Sequence, residues 1–242
     1  MADEVHVWRA SLEQPGAVIE QLHGVLAADE IARAARFRFD RDRNRYIVGR
    51  GLLRTLLGGY LRRPPSMLRF EYGAFEKPRL AGEGPQFNLS HSGSLALLAF
   101  ANDVEIGVDV ELSDVDFARE RIAERFFSPA EVRVLRSLPE PLQPHAFLTC
   151  WTRKEAFIKA RGDGLSLALD SFDVSLAPDE PAALTRTAWS AAEPAQWSLQ
   201  DLSDSTRCYV AAIAMRSENR RIITRDVPGD FAVRPTTEEG VT

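Results

Sequence analysis

The stretch Val104-Glu-Ile-Gly-Val-Asp-Val-Glu111 alternates without a break. On a strand, Val104, Ile106, Val108 and Val110 share one face, and Glu105, Gly107, Asp109 and Glu111 the other. Asp109 and Glu111 project together from the polar face, where their charges repel. A divalent cation would neutralise them, but by themselves they are more often plain solvated carboxylates of a polar face. Gly107 reads as open space beside the pair, compatible with a ligand approaching the backbone.

A second stretch, Trp151-Thr-Arg-Lys-Glu-Ala-Phe-Ile-Lys159, has helical spacing. Trp151, Glu155 and Lys159 are four residues apart and stack on one helix face. A carboxylate and an amine one turn apart make a surface ion pair or an acid/base pair aimed into a cleft. Periodicity alone favours the surface ion pair, because charged i,i+4 pairs are common on solvated helix faces.

With 242 residues, 45% of them apolar and 27% charged, the chain can bury one large core or two modest ones. The net charge of −5 argues against a protein that coats nucleic acid. Arginines nevertheless crowd between Arg33 and Arg63. That pattern suits a small anionic ligand or an acidic partner, or a set of solvated helix faces. Cys150 and Cys208 have no metal-ligand spacing and read as small buried hydrophobes. The N-terminus lacks an apolar signal core and no apolar run approaches membrane-spanning length, so a cytoplasmic setting without membrane contact is expected.

The pattern predicts a short strand at Val5–Trp8 and a helix over 28–36 with Asp29 as its cap. A long helix over 40–61 follows, with Arg41, Arg45 and Arg54 on its polar side, ended by Pro64-Pro65. Strands are expected at 67–72, 95–101, 104–111, 170–176, 196–202 and 207–215. Ser128-Pro129-Ala130-Glu131 carries the residues of a capping box and opens a helix to about Arg136. The helix over 145–161 closes at Gly162. The fold class is α+β, as two similar lobes with a pseudo-twofold relation and a cleft between them. The expected divisions are 1–108, 109–234 and a frayed tail over 235–242.

Taken in order, Phe87-Asn-Leu-Ser-His-Ser92, Ile106-Gly-Val-Asp-Val-Glu111, Arg125-Phe-Phe-Ser-Pro-Ala-Glu131, Trp151–Lys159 and Gly164-Leu-Ser166 resemble the surfactin-type 4′-phosphopantetheinyl transferases. The resemblance implies transfer of the 4′-phosphopantetheine arm of coenzyme A to a serine of an apo acyl or peptidyl carrier protein, with release of adenosine 3′,5′-bisphosphate. It implies Mg²⁺ as cofactor, on Asp109, Glu111 and Glu155. Glu155 also matches the general base, and Lys159 the residue facing the leaving group. Arg45, Lys77, Ser90, His91, Lys154 and Lys159 match coenzyme A contacts, with Lys154 equally readable as solvated. Arg33 or Arg36 stands where relatives have lysines for the 3′-phosphate. Glu76 replaces the glycine that usually precedes Lys77-Pro78. Trp151 keeps a packing role. Residues 112–127, with Phe117, Phe126 and Phe127 among Arg119, Arg121 and Arg125, match the carrier-docking region, and two lobes in one chain imply a monomer.

Overall fold

The computed structural model describes residues 3–73, 77–113, 122–162, 164–206, 208–216 and 220–228. Glu76, most of the expected docking segment (114–121) and the tail over 235–242 lie outside the described residues. The first lobe begins with β1 (Glu4–Ser11), α1 (Gly16–His23), α2 (Ala28–Ala34) and the long α3 (Asp40–Leu61). β2 (Phe70–Tyr72) and β3 (Pro78–Leu80) form a small hairpin, β4 (Gln86–Ser92) and β5 (Leu95–Ala101) a larger one. β6 (Ile106–Leu112) opens the second lobe, followed by α4 (Ile122–Phe126), α5 (Pro129–Ser137) and α6 (Gln143–Arg161). β7 (Phe172–Val174), β8 (Leu184–Thr187), β9 (Ser198–Asp201), β10 (Tyr209–Met215) and β11 (Arg221–Asp226) complete the order.

Two sheets carry the architecture, in the orders β11-β1-β5-β4 and β6-β10-β9. Alternation sorts their side chains into layers. Leu98 and Phe100 of β5 share a core with Leu52, Leu53 and Leu57 of α3. Val210, Ala212 and Ala214 of β10 share one with Ala156, Phe157 and Ala160 of α6. The intervening positions, Val5, Val7, Leu97, Ala99, Ile106, Val108, Ala211 and Ile213, form a third core between the sheets. The order of layers is therefore helix, sheet, sheet, helix. Each fully buried Val or Ile in the middle layer contributes about 1.5–3 kcal/mol, which holds the two lobes face to face.

A division at 108/109 would cut β6 in two. It would also assign β11 to the wrong lobe, because β11 runs parallel to β1, Glu4 opposite Arg221, and extends the first sheet. β5 occupies one edge of β1 and β11 covers the other, which would stand open without it. α1 was not legible as an element. It is held by Leu22, which lies so close to Gly51 of α3 that a Cβ there would stand 2.6 Å from the Leu22 Cβ.

Several local readings hold. The Ser128–Glu131 capping box is closed from both sides, at 2.9 and 3.2 Å. α6 ends at Gly162, whose φ of +79° suits glycine. Trp151 packs against Phe126 and Phe147. Others are corrected. α2 starts at Ala27, whose N–H is satisfied by the Glu30 carboxylate at 2.9 Å, so Asp29 is a first-turn residue and not the cap. Arg54 is 1% exposed instead of lying on a polar face. It donates to Glu30 and to the carbonyls of Pro65 and Leu68, which makes its burial tolerable. Cys150 is buried as expected, but Cys208 is exposed just before β10. Phe127, counted with the docking surface, is a core residue stacked on Phe147.

Candidate active site

The seam between the lobes is built from β4 and β6. The two strands belong to different sheets, and β4 side chains bridge them. Asn88 Oδ1 accepts the Val108 N–H at 2.8 Å. Ser90 Oγ donates to Asp109 Oδ1 at 2.8 Å. Ser92 Oγ donates to Glu111 Oε2 at 2.8 Å and accepts the Leu112 N–H at 3.2 Å. Asn88, Ser90 and Ser92 are alternate residues, so one strand face supplies all three bridges. Phe87 and Leu89 turn the other way, onto the α3 core.

α6 lies across the polar face of β6. Gly107 lets it approach: a Cβ at that position would stand 2.2 Å from the Ala156 carbonyl oxygen and 2.3 Å from the Ala160 nitrogen. The space beside Asp109 and Glu111 is thus filled by helix backbone, which corrects the reading of Gly107 as room for a ligand. The close approach brings Lys159 down onto the strand. Its Nζ donates to Asp109 Oδ1 at 2.5 Å and to Ser90 Oγ at 3.0 Å. Asp109 is 4% exposed, and its Oδ2 is buried without a hydrogen-bond partner among the described residues.

Electrostatics tie Glu155 and Glu111 to this pair. Burial pushes the Glu155 carboxyl above its ordinary value, the charges of Asp109 and Glu111 push it further, and Lys159 opposes them. Glu111 is raised by burial and by Asp109, against the Ser92 hydrogen bond and Lys159. The three carboxylates therefore feel one another. Among the described residues, however, no three acidic or imidazole groups stand close enough to ligate one ion as they are.

On the α3 side of β4 the field is positive. A cavity of ≈ 510 Å³ is lined by Arg45, Tyr46 and Arg50 of α3 with Asn88, Leu89 and His91 of β4. It adjoins a second of ≈ 600 Å³ bordered by Arg33, Arg36 and Phe37. Arg45 pairs with Glu13 at 2.7 Å, and its Nε is buried without an acceptor among the described residues. The protein around His91 pushes its imidazole below the usual value, and the charges of Lys159 and Arg45 push the same way. The two cations are the firmer cause, because the His91 side chain is open to solvent.

Two expected ligand contacts are engaged elsewhere. Lys77 Nζ donates to the carbonyls of Lys159 at 2.5 Å, Ile106 at 3.1 Å and Ala160 at 3.2 Å. It closes the C-terminal end of α6, where a cation is favoured. Lys154 is fully buried, paired with Glu131 at 2.8 Å and donating to the carbonyls of Leu169 and Phe172. It anchors α6 to α5 and has no free side toward the seam. Asn88, Ser92 and Glu13 were missed. The signal for the first two was present: polar residues at alternate positions of Phe87–Ser92, opposite the two carboxylates of β6. Nothing in the sequence pointed to Glu13.

The fold and seam define a two-lobed α+β protein with an acid and lysine cluster between its halves. A family profile described as "4′-phosphopantetheinyl transferase superfamily" matches residues 105–214, and one described as "4′-phosphopantetheinyl transferase, N-terminal" matches residues 7–103. The chain is 44% identical over 219 residues to the 4′-phosphopantetheinyl transferase HetI of Nostoc sp., covering 89% of each chain. It is 33% identical to the transferase Sfp of Bacillus subtilis over 66% of this chain and 70% of that one. It is 28% identical to the human L-aminoadipate-semialdehyde dehydrogenase-phosphopantetheinyl transferase over 87% of this chain and 73% of that one. The chain belongs to the 4′-phosphopantetheinyl transferases of the two-domain type, enzymes that transfer 4′-phosphopantetheine to carrier proteins. No helix among the described residues is long and apolar enough to cross a membrane.

Proposed function

We propose that the seam of β4, β6 and α6 is where this chain transfers phosphopantetheine from coenzyme A to a carrier serine. The convergence of Ser90, Asp109 and Lys159 within hydrogen-bond distance carries the reading. Coenzyme A brings two clusters of negative charge. Arg45 and His91 face the positive cavity and take phosphate there; an anion beside His91 would reverse the effect of the two cations and favour imidazolium. His91 takes the 3′-phosphate, with Arg33 or Arg36 serving it from the adjoining cavity.

Glu155 is the base. It draws the proton from the carrier serine directly or through water, with an oxygen that is not committed to the metal. The serine oxygen then bonds to the phosphorus bearing the pantetheine arm, and the bond from that phosphorus to the bridging oxygen breaks. Adenosine 3′,5′-bisphosphate departs with the bridging oxygen, whose charge Lys159 stabilises or protonates. Asp109, Glu111 and Glu155 are the residues that would hold Mg²⁺. They fit a hard cation: three carboxylates share one field, and the buried Asp109 Oδ2 has no donor among the described residues. When bound, the ion supplies charge neutralisation at the pyrophosphate.

Carrier docking along 112–127 keeps support from Arg125, which lies over the half-buried Phe126 ring at 5.1 Å, beside Trp151. Both lobes of the cleft come from one chain, so the protein acts as a monomer. The test is incubation with coenzyme A, Mg²⁺ and a panel of apo acyl and peptidyl carriers, followed by mass spectrometry. One carrier or more gains a phosphopantetheine group, and Asp109→Ala or Glu155→Gln loses the gain with the fold intact. Full activity in both variants overturns the residue assignment.

A further inference from the structure

The ammonium of Lys159 stands where a cation is wanted. It lies 2.5 Å from Asp109 Oδ1 and 3.0 Å from Ser90 Oγ, and no metal-ready group of three exists among the described residues, although three carboxylates line the seam. The two partners are unequal. The Asp109 side chain is 5% exposed and sits on a strand bridged by Ser90; the Lys159 side chain is 28% exposed and reaches in from α6 on a flexible stem. The lysine is the one that can leave.

We infer that Lys159 is a latch on the carboxylate cluster. While its ammonium holds Asp109 Oδ1, a divalent ion approaching Oδ2 meets a positive charge at close range. An anion on the Arg45–His91 side changes the balance. Lys159 already acts on His91 as an unfavourable like charge, so a phosphate placed among the three attracts the ammonium away from Asp109 and frees the carboxylates. Metal affinity is thereby conditional on the phosphate ligand, and an ion does not settle in the empty enzyme. The inference rests on the assignment of Asp109, Glu111 and Glu155 to the metal.

The test uses Mn²⁺ as probe, with free Mn²⁺ read by electron paramagnetic resonance and no carrier present. The mixtures are wild type alone, wild type with coenzyme A, Lys159→Met alone and Arg45→Met alone. Lys159→Met binds Mn²⁺ about tenfold tighter than wild type, a difference of about 1.4 kcal/mol. Arg45→Met removes a nearby charge that does not touch the carboxylates, and stays within about twofold of wild type by the same scale. Lys159→Gln and a far-ultraviolet melt of each variant guard against misfolding. Equal gains in Lys159→Met and Arg45→Met would reduce the effect to general charge and overturn the latch. Mn²⁺ bound to wild type with coenzyme A, but no tighter to Lys159→Met than to wild type alone, overturns the latch and leaves the metal assignment standing. No Mn²⁺ bound in any mixture overturns both.

Discussion

Gly107 and Ala156 are in near backbone contact: a Cβ on Gly107 would stand 2.2 Å from the Ala156 carbonyl oxygen. The neighbour is helix backbone and has no rotamer to change. Gly107→Ala is therefore expected to lift α6 off β6, costing about 3 kcal/mol of stability. Activity falls further than stability does, because Glu155 and Lys159 both ride on α6. Urea denaturation beside a transfer assay checks this, and a variant with native activity would show that the approach is not needed.

Ser92 holds Glu111 by a hydrogen bond of 2.8 Å. Ser92→Ala frees the carboxylate to rotate and costs about 1 kcal/mol of stability. The metal requirement rises by about tenfold, as when a ligand's supporting hydrogen bond is removed. The Mg²⁺ dependence of the initial rate reads this directly, and an unchanged dependence would remove Ser92 from the site.

Lys77 closes the end of α6 with three carbonyls, and burial lowers its ammonium from 10.5 to about 8. Lys77→Met orphans those acceptors and costs about 1–3 kcal/mol near neutral pH. The pH dependence has a definite sign. Between about 8 and 10.5 the unfolded chain binds the proton that the native chain has lost, so wild-type stability rises with pH across that window. The penalty for burying the charge is fully present below about 8. The margin of wild type over Lys77→Met should widen from pH 7 to pH 10 in paired urea titrations.

Glu30 is 1% exposed and answers two arginines, Arg50 at 2.6 Å and the equally buried Arg54 at 2.5 Å. Glu30→Gln leaves Arg54 charged in the core with only carbonyls to meet it. A loss of about 3–5 kcal/mol is expected, the usual cost of removing one partner of a buried pair. Thermal unfolding measures it, and a change below about 1 kcal/mol would mean that water reaches Arg54.

Cys150 is buried with its thiol pushed well up, first by burial, while Cys208 is exposed. A thiol reagent at neutral pH should modify Cys208 in the native protein and Cys150 only after unfolding. Two fast thiols in the native protein would contradict the packing of α6.

Much of the site was legible because it depends on short-range rules. The alternation at Val104–Glu111 put Asp109 and Glu111 on one face, and i,i+4 spacing put Glu155 above Lys159. The capping box at Ser128 and the stop at Gly162 were readable for the same reason. Lys77 and Lys154 were not. A lysine in a motif looks the same whether its ammonium meets a ligand or a ring of carbonyls, and only the path of neighbouring backbone decides which.

The sequence by itself determined strand and helix faces, because periodicity and local capping act within a few residues of chain, and its ordered motifs carried the resemblance to the family. The tertiary structure decided the rest. Which edge β11 would cover, whether Arg54 would be buried, and that Gly107 admits a helix instead of a ligand all depend on contacts between segments far apart in the chain. The seam itself, where Ser90 and Ser92 of one sheet meet Asp109 and Glu111 of another under Lys159, exists only because a shared apolar layer presses the two sheets together.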